Sequence, residues 1–138
     1  MIIADTGFWL AIANRKDRFH LQAVEALTQV KESLIVTWAV MTETCHLLQT
    51  RLGTNAQTSF IQSYKQGAFE VFTIEIHHAN RLIELMKKYE DLPMDLADAS
   101  LVLLAEELKE GGILSTDQRD FQTYRWKNRH PFENLLLS

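Results

Sequence analysis

An α/β fold with a largely parallel central sheet is the class this sequence predicts. Two observations carry that expectation. Short apolar runs alternate with longer segments of helical periodicity, as strand–helix–strand units require. Pro and Gly are few, 2 and 5 in 138 residues, which leaves little room for long irregular connections.

The elements read off in order. Ile2-Ile3-Ala4 is a short buried strand, followed by a helix over about Thr6 to Asn14. A second helix covers about Phe19 to Val30, with Leu21, Val24, Leu27 and Val30 recurring near helical period. Leu34-Ile35-Val36 is the next strand. Thr37 can cap a helix from Trp38 to Leu52, with Gly53 past its end. A helix over Asn55 to Gln66 leads to a strand over Phe69 to Thr73. Ile76 to Tyr89 reads as one helix, with Ile76, Ala79, Leu82, Ile83 and Met86 on one face. After Pro93, the most apolar helix runs from Asp95 to Leu108, and Gly111-Gly112 ends it. Ile113-Leu114 begins a fourth strand, Gln118 to Tyr124 a short helical turn, and His130 to Leu137 a fifth, short strand. The sheet therefore has about four to five strands flanked by helices, in one domain over residues 1–138.

Composition narrows the function classes. The lone cysteine, Cys45, allows no internal disulfide and fits a reducing, cytoplasmic setting. The opening residues lack a basic stretch and a long apolar core, so no signal peptide is expected. No apolar run is long enough for a membrane span. A net charge of −4 excludes nucleic-acid binding through bulk positive charge. That exclusion lifts if several acids share one metal site, because bound cations reverse the local sign.

In parallel sheets, ligands bind beyond the carboxyl ends of the strands. Asp5 follows the first strand directly, and Asp117 follows the fourth after Ser115 and Thr116. Each can equally cap the helix that follows. Glu43 lies about 60° from Val40 and about 40° from Leu47 around its helix, beside the buried stripe. It either reaches water from that edge or needs a partner or cation. Asp98 opens the most apolar helix one turn before Leu101-Val102-Leu103-Leu104. Asp95 and Asp98 share a face, and Asp95 is the expected cap. Four carboxylates at about 5 Å separations would repel by roughly 3 kcal/mol per pair at an effective dielectric near 20. Such a cluster takes up protons or a divalent cation, and all-oxygen ligands favour Mg²⁺ or Mn²⁺ over zinc.

These segments resemble the PIN-domain ribonucleases, in particular the VapC-type toxins of prokaryotic toxin–antitoxin pairs. Ile2-Ile3-Ala4-Asp5-Thr6-Gly7 looks like the family's opening strand and first acid. Thr42-Glu43 with Leu47-Leu48 is similar to the setting of the second. Pro93-Met94-Asp95-Leu96-Ala97-Asp98-Ala99-Ser100-Leu101 strongly resembles the third motif, and Leu114-Ser115-Thr116-Asp117-Gln118-Arg119-Asp120-Phe121 the fourth. The resemblance implies a single PIN-like domain with Asp5, Glu43, Asp98 and Asp117 as catalytic, metal-binding acids. Asp95 matches a less central acid. Ser115 stands as a supporting hydroxyl where the family commonly has Thr, and Asp120 as a structural cap. It implies Mg²⁺- or Mn²⁺-dependent endonucleolytic hydrolysis of RNA, with the cation activating water and steadying the leaving oxygen. It also implies a homodimer and a cognate antitoxin.

Other residues carry plainer readings. No histidine shows zinc-ligand spacing, and His46 sits on a helix surface. Phe8, Trp9 and Trp38 are expected in the core or an interface. Two basic stretches, Arg15-Lys16 with Arg18 and Arg119 through Arg129, either hold RNA phosphates or are solvated charge. The rival to a nuclease is a non-catalytic PIN-like module that binds a partner protein. A receiver domain fits poorly, because no second acid neighbours Asp5 and no Lys follows Leu114 in the matching place.

Overall fold

The structure is a computed structural model and describes residues 1–137. The chain runs β1 (Ile2–Ala4), α1 (Thr6–Ala13), α2 (His20–Gln29), β2 (Leu34–Thr37), α3 (Trp38–Leu52), α4 (Thr54–Lys65) and β3 (Phe69–Phe72). A 3-10 turn (Ile76–His78) precedes α5 (Ala79–Lys88) and α6 (Leu96–Leu108). Then come β4 (Gly112–Leu114), α7 (Gln118–Thr123), β5 (Arg125–Trp126), β6 (His130–Pro131) and β7 (Glu133–Asn134).

Five strands form one sheet in the order β3-β2-β1-β4-β7, with every pairing parallel. Ile3 pairs with Ile35 on one side and Ile113 on the other, so β1 is central and apolar. The chain steps outward from β1 to β2 and β3, then crosses back to β4. β1 and β4 therefore flank the point where the strand order reverses, which is where such sheets bind ligands. α1 packs on α2 and α3, and α3 on α4; α5 packs on α6, and α6 on β2. α6 is the core helix: Ala99 to Ala105 are buried without a break.

Three expectations need correction. The segment Ile76–Tyr89 is not one helix. Glu75 and His78 form a capping box around the 3-10 turn Ile76–His78, α5 follows from Ala79, and Ile76 within the turn is 94% exposed. On α2, Ala23 and Ala26 face the core, while Leu21, Val24 and Leu27 are exposed. The tail strand is shorter than expected, because His130–Pro131 pairs antiparallel with β5 and leaves only Glu133–Asn134 for the sheet.

Candidate active site

Helix starts assemble the site. Asp5 caps α1 from the end of β1 and is buried. Its Oδ1 accepts the Thr6 N–H at 2.7 Å, and its Oδ2 accepts the Ser115 hydroxyl at 3.0 Å. The same Ser115 Oγ accepts the Asp117 N–H at 3.0 Å. One buried hydroxyl thus links the first acid to the backbone of the last. Ser115 is itself clasped by Asn134, whose amide donates to its carbonyl at 2.9 Å and accepts its N–H at 3.4 Å. Asp117 caps α7, its Oδ1 accepting the Asp120 N–H at 3.1 Å. Both acids thus cap helices at the edge where the strand order reverses. Asp120 is not the cap of this turn; its N–H is the group being capped.

Glu43 is half-buried on α3. The Thr37 hydroxyl accepts the Val40 N–H at 3.2 Å, capping α3, and donates to Ser100 Oγ at 2.7 Å. Ser100 spends its own proton on the Ala97 carbonyl at 2.7 Å, which fixes that direction. The starts of α3 and α6 are thereby locked together. Thr44 reaches Thr6 at 3.3 Å and ties α3 to α1.

Asp95 is exposed and caps α6, accepting the Asp98 N–H at 2.9 Å. Asp98 does not complete a capping box. Its Oδ2 accepts the phenol of Tyr124 at 3.2 Å instead. Tyr124 is wholly buried between the rings of Tyr89 and Phe121. Sequence reasoning missed Tyr124 and Asn134, and no local pattern flags either.

The acids press on one another. Burial, above all, raises Asp5 to about 6; the charges of Glu43 and Asp117 add to that, while hydrogen bonds from Thr6 and Ser115 oppose it. Asp98 is pushed up to about 7, first by burial and then by Asp95 and Asp5. Burial also raises Asp117 and the Tyr124 phenol. Asp5 thus feels Glu43 and Asp117 and is felt by Asp98. Among the described residues, no Lys or Arg forms an ion pair with these four acids; Arg119 turns to Asp120 at 3.1 Å. A hard divalent cation fits this donor set by chemistry, since it is all oxygen and negative, with the charge of Arg119 bearing on Asp117 alone among the four.

Among the described residues, one trio brings its donor atoms within 4.8 Å of one another: His77, His78 and Glu107; no three of Asp5, Glu43, Asp95, Asp98 and Asp117 come that close together. The trio does not fit a metal. His78 Nδ1 accepts the Glu75 N–H at 2.9 Å, so its ring proton sits on Nε2 and is given to Glu107 at 2.8 Å. Coordination through Nε2 would strip the ring of that last proton.

The basic stretches largely leave this edge. Arg15, Lys16 and Arg18 lie past the end of α1, about 13 Å along its axis from Asp5. The Arg125 guanidinium folds back on the carbonyls of Gln122, Thr123 and Tyr124. The Lys127 N–H is bound by Glu106, near the far end of α6, at 2.6 Å. Arg119 remains beside the acids.

Fold and site together define an α/β protein with acids at the carboxyl ends of β1 and β4, where the order of a parallel sheet reverses. Residues 2–127 match the model of the PIN domain family, and the chain belongs to that family. Ribonuclease VapC26 of Mycobacterium tuberculosis is 27% identical over 124 residues, which cover 90% of this chain and 92% of that one. The crystal structure of Mycobacterium tuberculosis VapC20, described as a Sarcin-Ricin loop cleaving toxin, superposes with a TM-score of 0.80. Identity there is 19%, over 86% of this chain and 92% of that one, so this likeness speaks to the fold.

Proposed function

We propose that this chain, as one PIN-like unit over residues 1–138, is a divalent-metal-dependent endoribonuclease. Asp5, Glu43, Asp98 and Asp117 hold the cation, Asp95 adds charge beside Asp98, and Ser115 supports Asp5. The observation that supports this reading is the Ser115 hydroxyl that joins Asp5 to the backbone of Asp117 where the strand order reverses, with the charges of Glu43 and Asp117 bearing on Asp5 and that of Asp5 on Asp98. When bound, Mg²⁺ or Mn²⁺ would acidify an attacking water and stabilise charge on the phosphate and leaving oxygens. Burial and neighbouring charge raise the proton affinity of Asp5 and Asp98, and a bound cation would favour their charged forms. The Tyr124 phenol holds one oxygen of Asp98, which leaves the other free for the cation. The VapC relatives support RNA as the substrate class and a toxin–antitoxin setting, and a cytoplasmic location goes with both.

Two surfaces support the partners. The exposed stripe Leu21, Val24 and Leu27 on α2 adjoins an apolar cavity of about 390 Å³ lined by Trp9, Ile12, Leu27 and Phe60, a seat for an antitoxin segment. Ile76, Ile83 and Leu96 are exposed apolar residues available to a homodimer. No helix among the described residues is long and apolar enough to cross a membrane.

The test is metal-dependent cleavage of RNA by partner-free protein, with Asp98→Asn alongside. Cleavage that requires Mg²⁺ or Mn²⁺, is stopped by EDTA and falls at least about a hundredfold in the variant is expected. A folded protein that neither cleaves RNA nor gains thermal stability from either ion would leave the non-catalytic interaction module standing.

A further inference from the structure

A trench leads away from the acids across α3. Its near part, about 450 Å³, is bounded by Glu43, Asp95, Leu96 and the exposed side chains of Thr42 and His46. Its far part, about 610 Å³, lies between α3 and α4 and is lined by Trp38, Gln49 and Gln57 as well as Thr42 and His46. Thr42 and His46 line both parts, so the two recesses adjoin along α3.

The two parts differ in chemistry. The near part holds carboxylates. No Lys, Arg, Asp or Glu lines the far part. A groove that tracks a phosphate backbone needs cations. A groove that takes an unstacked base needs a flat ring and neutral donors and acceptors. Gln49, Gln57 and Thr42 supply the latter. Trp38 supplies the ring: it is 46% exposed and is held edge-on by Tyr64, at 5.9 Å and 83°. Tyr64 rests in turn on Phe69 at 5.6 Å. The platform is therefore braced from the core side and open toward the groove. The other tryptophans lack this setting, since Trp9 is buried and Trp126 is stacked on His130. Trp38 also opens α3 directly after β2, on the same sheet edge as Asp5.

The geometry points to a base-binding subsite: the α3–α4 groove takes one unpaired RNA base, stacked on Trp38 and hydrogen-bonded by Gln49 and Gln57, beside the phosphate held at the acids. This rests on the nuclease reading and narrows its substrate to RNA with an unpaired nucleotide next to the cleaved bond.

The experiment uses the full chain carrying Asp98→Asn, which keeps RNA intact, and a mixed-sequence single-stranded oligoribonucleotide beside its duplex form. Trp38→Ala, Trp38→Phe, Gln57→Ala and the exposed control Gln62→Ala are compared by binding and by tryptophan fluorescence. Trp38→Ala should weaken single-strand binding about tenfold and remove most of the quenching, and Trp38→Phe should recover most of the affinity. Duplex binding and Gln62→Ala should be unchanged. In protein with all its acids, Trp38→Ala should raise KM more than it lowers kcat. Equal single-strand binding and cleavage by folded Trp38→Ala would overturn the subsite and leave the nuclease standing. A change in oligomeric state with RNA affinity unchanged would also overturn it, and would make this face a contact between copies. Trp38-dependent RNA binding without any metal-dependent cleavage would keep the subsite and sink the nuclease reading.

Discussion

Tyr124 is the residue whose role was least visible beforehand. It follows a short helix, and nothing in its neighbours marks it, yet its phenol reaches Asp98 from a wholly buried ring at 3.2 Å. Tyr124→Phe keeps the ring and removes the donor. It should cost about 1 kcal/mol of folding stability. If Asp98 holds the cation as proposed, the substitution should also weaken Mn²⁺ binding about tenfold, because that carboxylate loses the group that orients it. Calorimetric titration of Mn²⁺ into both proteins checks the second part; equal affinities would reduce Tyr124 to packing. Asn134 acts at a greater remove, on Ser115. Asn134→Ala frees both peptide groups of Ser115 and should cost about 1–3 kcal/mol, read by urea unfolding. The four acids could be put forward from the sequence because they fall in the segments that resemble the family's motifs; taken singly, a carboxylate at a strand end reads as readily as a helix cap. Their supports could not, because a lone Tyr or Asn becomes meaningful only through a partner far away in the chain.

Among elements, α1 shows how close the packing at the site is. A Cβ on Gly7 would collide with the Thr116 side chain, lying 3.1 Å from its Cβ and 3.4 Å from its Cγ2, with its Oγ1 closer still. The first turn of α1 thus meets the loop that carries Asp117. Gly7→Ala should destabilise the protein by about 1–3 kcal/mol, since the loop must shift to make room. The shift displaces Asp117, so metal-induced stabilisation in a thermal melt should shrink as well. A variant with unchanged melting and unchanged metal response would show that the loop gives way freely. The parallel strands were legible because each is a run of apolar residues too short for a helix. The β5–β6 hairpin was not, because Arg-Trp and His-Pro carry no alternation over two-residue strands. The inward face of α2 was misread for a related reason. Leu21, Val24 and Leu27 have the right period, but it is the small Ala23 and Ala26 that are buried.

At the scale of the whole molecule, the acid cluster makes stability depend on pH in an unusual direction. Asp5 and Asp98 keep their protons to about 6 and about 7 when folded, against 3.8 as free side chains. Between those values the folded state binds more protons than the unfolded one, so stability falls as pH rises. Every tenfold gain in proton affinity on folding is worth about 1.4 kcal/mol, and partial exposure trims the share of Asp98. In EDTA, the Tm should drop by several degrees between about pH 4.5 and pH 7.5. Mg²⁺ should remove much of that drop, and Asp98→Asn should remove part of it without any ion. A Tm that rises through this window would mean that the acids are not pressed together. The clasp of Asn134 on Ser115 bears on a different moment in the life of the protein. Ribosomes make Asp5, Glu43, Asp98 and Asp117 before they make Asn134. A growing chain can therefore carry all four acids while Ser115, which joins Asp5 to Asp117, still lacks its backing. The brace behind Asp5 and Asp117 is thus the last part of this sheet edge to be made, and it closes only as the tail folds home.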